Sequence, residues 1–349
     1  MVLDFPATIN IGVSNGFEDL GMGTRSWERY KSDPRVADLA AFLFGIMIFA
    51  RVEDIVVGTV MILVASICLL LNGLVLSTIA SFADFYIHSS TYRLMLLMGV
   101  FDVAQLIVHL ATGLFTVLQF EAGYTAYTIM GTVLSSSYAC YTFVTAILAF
   151  DRFVLMCWHR GEEVFFSPLG NKIWFLVTFA LFSAIAGLHA SDKVYTFYAV
   201  TNYKWAYDYS FPWSRIRQEI IMYYQIFGMF LAWLFYFSIT LSLLRYRREI
   251  DSVARFKANR KILIHAFGIT LYCTALDLLR HKIDIFFSTD GNMTNFALNL
   301  LSIANAGLSP LLCLALNKTV RKRMAKRFQR KRHAAISVAP LDPNKSFVK

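Results

Sequence analysis

The charged residues of this sequence with chemical potential sit where charge is expensive. Asp102, His109, Asp151, Arg152, Asp277, Arg280, His281 and Asp284 fall inside long apolar runs or at their ends. Asp277, Arg280, His281 and Asp284 have offsets of 0, 3, 4 and 7, which put them on one face of a helix. Asp102, Gln105 and His109 share a face by the same rule. Neither set has the spacing of a catalytic centre. No His-Glu-x-x-His string occurs, and His109, His189 and His265 belong to different runs, so no three or four ligands meet at one depth. In an apolar surround such groups pair, hydrogen-bond and mark a ligand or ion path. The expectation is no catalysis, no cofactor and no metal.

Seven runs hold these groups: residues 55–80, 93–118, 126–150, 173–190, 219–244, 262–287 and 296–316. About 20 apolar residues in a helix cross the ~30 Å of hydrocarbon in a bilayer. The chain is 57% hydrophobic with a mean hydropathy of +0.53, which excludes an ordinary soluble globule. The runs lack the alternation of barrel strands, so helices are the spanning element. The fold expected is an all-α, seven-helix transmembrane bundle over residues 55–316. Residues 1–54 read as an extracellular N-terminal segment without a signal peptide, and 317–349 as a basic cytoplasmic tail. Leu39 to Ala50 is apolar but short and bounded by Asp38 and Arg51, which suits an interfacial segment or buried pre-helix and not an eighth span.

Basic residues orient the bundle. Of 33 Lys and Arg, 21 fall on the C-terminal side of the membrane and 11 on the other, with Arg93 at an edge. That bias places the N-terminus outside and the C-terminus inside. The net charge of +10 is therefore an orientation signal and not a nucleic-acid footprint. Trp158 and Trp174 fall near the inner interface, Trp205 and Trp213 near the outer one. Cys68, Cys140, Cys273 and Cys313 lie in spans and Cys157 just inside, so no outer loop supplies a disulfide. Cys157 is either a palmitoylation site or a plain thiol. Asn292-Met293-Thr294 is an outer glycosylation sequon abutting the seventh span. Val320, Met324 and Phe328 recur every four residues, predicting a short amphipathic helix on the inner leaflet, with an unstructured tail beyond His333.

Three polar groups carry the functional expectations. Asn72, Asp102, Asn305, Ser309 and Pro310 lie toward the inner half, with a kink expected at Pro310. They form either a hydrogen-bonded switch holding water or a sodium ion, or helix-packing glue. Asp151 and Arg152 close the third run at the cytosolic face, either as a pair released when helices shift or as an ordinary interfacial ion pair. His109, Ser135, Ser136, Ser137, Gln225, Asp277, Arg280, His281 and Asp284 converge on the outer half. They line either a small-ligand pocket or a self-satisfied charge stripe. The basic third inner loop, from Arg245 to Lys261, either contacts a cytosolic protein or serves only lipid and orientation.

Several strings carry a resemblance. They are Tyr92-Arg93-Leu94-Met95 with Gly99 and Asp102, then Thr112-Gly113, and Ile147-Leu148-Ala149-Phe150-Asp151-Arg152. Near the C-terminus come Pro310-Leu311-Leu312-Cys313 and Leu316-Asn317-Lys318-Thr319-Val320-Arg321. From about residue 55 to 325 the chain resembles the nematode serpentine chemoreceptors, most closely class T, within the seven-helix G-protein-coupled receptors. The resemblance implies a sensory receptor of the plasma membrane with Arg152 at its G-protein interface. Its implied partners are a heterotrimeric G protein, an unidentified small-molecule ligand and membrane lipids. Compared with rhodopsin-like receptors, Ser309-Pro310-Leu311-Leu312-Cys313 replaces Asn-Pro-x-x-Tyr, and the sixth span has neither Trp nor Pro. Its inner end carries Arg260 and Lys261 and no acid, so no ion pair from Arg152 is expected there. Tyr127 stands near the position of their helix-three cysteine. The alternative function is a seven-helix channel or transporter. It lacks internal repeats, and only the seventh span has a proline break. Residues 296–316 contain no lysine for a retinal Schiff base.

Overall fold

The structure is a computed structural model and describes residues 34–81, 89–245, 250–286 and 291–338. In chain order the elements are α1 (Pro34–Ala80), α2 (Ser90–Leu118), α3 (Tyr124–Cys157), α4 (His159–Phe165) and α5 (Pro168–Ala190). A hairpin of β1 (Thr196–Ala199) and β2 (Lys204–Tyr207) follows, then α6 (Ser214–Arg245), α7 (Ile250–Phe286), α8 (Asn292–Leu316) and α9 (Lys318–Val338). Seven of these helices hold segments long and apolar enough to cross a bilayer, from Val52–Ala80 in α1 to Asn292–Leu316, which is α8. The protein is a multi-pass, mostly helical membrane protein. Residues 1–56 and 57–349 form separate compact units, and the bundle belongs to the second.

The spanning helices run longer than their apolar stretches, because polar residues at their ends find partners. α3 continues to Cys157, past residue 150, so Asp151 and Arg152 stand inside a helix and not at its end. α6 begins at Ser214, ahead of residue 219, which moves Arg215 and Arg217 from a loop into its first turn. The helix α9 extends to Val338 and so passes His333. Leu39 to Ala50 is part of α1 and leads directly into the first span. Local chemistry sets several of these ends. Ser167 caps α5, accepting from the Gly170 amide at 3.0 Å with Pro168 in the first turn. α2 closes on Gln119 in the left-handed region, φ 48°.

α3 is the central helix and packs against α2, α5, α6 and α7. Its buried Cys140, Tyr141, Val144, Leu148 and Ala149 form the main apolar core with Leu94, Met98, Met229 and Ile269. α1 and α2 approach closely at two glycines: a Cβ on Gly58 would stand 2.7 Å from the Gly113 carbonyl. Leu176, Phe179, Phe230 and Phe237 are exposed on α5 and α6, as lipid-facing side chains should be.

The hairpin pairs Thr196 with Tyr207 and Ala199 with Lys204. At its turn Tyr203 takes a left-handed φ of 52°. Burial stabilises that conformation, because the ring packs with Met61, Ala65, Leu106, Ile303 and Ala306. The Asn299 amide donates to the Tyr203 carbonyl. Tyr198 and Thr116 share a 2.9 Å hydroxyl contact, and burial pushes the Tyr198 hydroxyl up to about 12. The same helix α8 meets the hairpin through Asn299 and helix α2 through Asn317, roughly 27 Å apart along its axis. One end of the bundle thus carries the hairpin and the other the tail helix α9.

Candidate functional site

At the tail end, Arg152 and Asp151 are both buried, at 1% and 3% exposure. The Arg152 guanidinium donates to the Asp151 carboxylate and to the Thr91 hydroxyl. Asp151 also accepts from Ser90 at 2.6 Å and from Thr91 at 3.2 Å. An ordinary interfacial pair would be wet. This one is a dry cluster pinned to the start of α2, and α2 residues pair with α3 residues about 60 positions away. Among the described residues no acid of α7 pairs with Arg152. Beside it lies a cavity of about 220 Å³ lined by Tyr92, Met95, Lys261, His265, Cys313 and Asn317. Asn317 links the helices there. Its amide donates to the Tyr92 hydroxyl at 2.8 Å, and its side-chain oxygen caps α9 by accepting from the Thr319 and Val320 amides. Val320 is buried against Val75, Ile79 and Met95, so the first turn of α9 packs on protein and not on lipid.

At mid-depth, Pro310 has no N–H to give the Ala306 carbonyl, four residues back. Asn72 supplies the missing donor, reaching the Ala306 oxygen at 2.9 Å. The five residues expected to share one hydrogen-bonded core divide instead. Asn72 binds backbone of α8 and α1, Asn305 accepts from Cys273 at 3.4 Å, and the Ser309 carbonyl contacts His265 Nε2 at 3.0 Å. Asp102 is 0% exposed, and neither of its carboxylate oxygens has a hydrogen-bond partner.

At the hairpin end, Asp277 and Arg280 reach across the bundle to neighbouring helices. Asp277 accepts from the Tyr138 hydroxyl at 2.6 Å, while Arg280 stacks on the Tyr138 ring at 4.6 Å and donates to Ser302. His109 lies within electrostatic reach of Arg280, with Nδ1 unpartnered. Ser135 accepts from Arg217, the Ser136 and Ser137 hydroxyls are buried without partners, and Gln225 is buried. The side chains of His281 and Asp284 lie outside the described residues. Sequence reasoning passed over Arg217, which reads as a loop charge until α6 is seen to start at Ser214. It is 2% exposed and joins α6 to the hairpin at Tyr207 and to α3 at Ser135.

Residues 46–336 match the family model described as serpentine type 7TM GPCR chemoreceptor Srt. The chain belongs to that family. The bundle is similar to the crystal structure of squid rhodopsin, with a TM-score of 0.65 at 12% identity over 80% of this chain and 87% of that one. At that identity the likeness establishes the fold. No curated protein matches the sequence significantly. Family and fold are those of a receptor of the G-protein-coupled class and not of an enzyme family.

Proposed function

We propose that this serpentine receptor detects a small molecule at the hairpin end and signals to a heterotrimeric G protein at the tail end. The observation that carries the reading is the Arg152 cluster. A buried guanidinium held by Asp151 and Thr91 is a discrete arrangement that a helix shift can undo, freeing a cation beside an existing cavity. Ligand contact at the hairpin end would act through α3, which runs from Ser135 to Arg152. The receptor would then sit in the plasma membrane of a sensory cell or its cilium, with the tail helix α9 against the inner leaflet. The mid-depth residues Asn72, Asp102, Asn305, Ser309 and Pro310 would form the element that differs between states.

Nucleotide exchange on co-expressed G proteins tests this, using a broad panel of small odorants. We expect a ligand-dependent rise in exchange that Arg152→Ala abolishes while surface expression stays unchanged. Silence of every G-protein class at good surface expression would reject coupling. Ligand-gated current in bilayers without G protein would favour a channel instead.

A further inference from the structure

The hairpin end holds a buried charge that the protein leaves unbalanced. Arg217 is 2% exposed, and its guanidinium donates to the hydroxyls of Tyr207 and Ser135. Its Nε has no partner. Among the described residues no carboxylate lies within 4.0 Å of it; the ion pairs there are Arg152 with Asp151 and Arg215 with Glu219. Asp277 is engaged with Tyr138 and shares its surroundings with Arg280. Tyr207 cannot serve as the counter-charge. Burial raises its hydroxyl above the ordinary tyrosine range, only partly offset by the arginine, so it stays neutral.

One neighbouring side chain has hydrogen-bonding capacity to spare. His189 on α5 is buried within electrostatic reach of Arg217, and neither ring nitrogen has a partner. A cation held by α3 and β2 through hydroxyls alone therefore has an imidazole with free hydrogen-bonding capacity within reach. A guanidinium removed from water without a counter-ion is costly, and a fork of N–H groups is matched best by a planar carboxylate. We propose that the ligand of this receptor is a small organic acid whose single anionic group pairs with Arg217. A single carboxylate matches the one guanidinium, and the Tyr207 ring, 5.5 Å from it, suits an apolar body on that acid. The proposal rests on the hairpin end being the ligand site and goes beyond it in naming the ligand's chemistry.

The test uses the full chain in lipid nanodiscs and reads thermal unfolding. Straight-chain monocarboxylates from acetate to decanoate, together with benzoate and phenylacetate, are compared with their methyl esters. At least one acid is expected to raise the melting temperature by about 5 °C at saturation while its ester does not. Arg217→Gln should remove that shift, and Arg217→Lys should weaken apparent affinity roughly tenfold, because an ammonium keeps the charge but loses the fork. If the variants fail to fold, the acid-against-ester comparison on the natural sequence still decides. Equal stabilisation by acid and ester, a shift that survives Arg217→Gln, or no shift with any acid would overturn the proposal. Nucleotide exchange separates it from the receptor reading. Acids that stabilise without exchange leave the anion site standing and remove coupling. Arg152-dependent exchange driven only by neutral or cationic compounds does the reverse.

Discussion

The amide of Asn72 shows how one side chain repairs a defect placed 238 positions away at Pro310. Proline ends one hydrogen bond of α8 by lacking an N–H, and the orphaned Ala306 carbonyl is buried, where an unmet acceptor costs about 1–3 kcal/mol. Asn72→Ala should therefore lower stability by about that amount in nanodisc thermal unfolding. Pro310→Ala restores the donor, so the same asparagine substitution should cost about 1 kcal/mol less in its presence. Equal costs in the two backgrounds would mean that the amide does not compensate for the proline. At the tail end the corresponding residue is Thr91, whose hydroxyl binds both Arg152 and Asp151. Thr91→Val leaves the guanidinium with one partner fewer. Basal nucleotide exchange should rise about three- to tenfold, corresponding to roughly 1 kcal/mol of lost restraint. Unchanged basal exchange, with Arg152→Ala still silent, would show that Thr91 does not hold the inactive state.

The hairpin is an element that the apolar pattern did not announce. Residues 191–213 lie between two spans and contain no cysteine, so they read as a connection. The folded hairpin is held without a disulfide: all five cysteines are free and lie within α1, α3, α7 and α8. Its anchors are the buried Tyr203, the Asn299 amide, the Tyr198–Thr116 contact and Trp205 packed edge-on to Tyr127. Reductant should therefore leave the melting temperature unchanged. Tyr203→Ala should destabilise by about 3 kcal/mol and speed amide exchange across β1 and β2, because truncating a buried aromatic leaves a cavity. Slow exchange in that variant would mean that the hairpin is anchored elsewhere. What the sequence did show follows from length: seven apolar runs gave seven spans. What it hid follows from distance along the chain. The ends of α3 and α6 depend on polar partners contributed by α2 and the hairpin, and no window of local hydropathy contains both members of such a pair.

For the whole molecule, the proposed direction of signalling depends on which end faces the cytosol. Positive residues flanking spans are retained on the inner side. Arg217 and Arg280, at the hairpin end, lie within membrane-crossing segments and contact neighbouring helices, so neither is a flanking charge. Arg152 drops from the count at the tail end on the same ground, and an asymmetry toward that end remains, where Lys318, Arg321, Lys322 and Arg323 begin α9. A C-terminal epitope on the full-length receptor should accordingly be reached by antibody only after permeabilisation, and an N-terminal epitope in intact cells. Cleavage by added protease should remove the N-terminal tag and spare the C-terminal one. An exposed C-terminal epitope on intact cells would turn the Arg152 cluster and its cavity toward the outside. G-protein coupling through them would then be impossible, and the Arg217 site would face the cytosol, where its acid would have to be a metabolite and not an external cue.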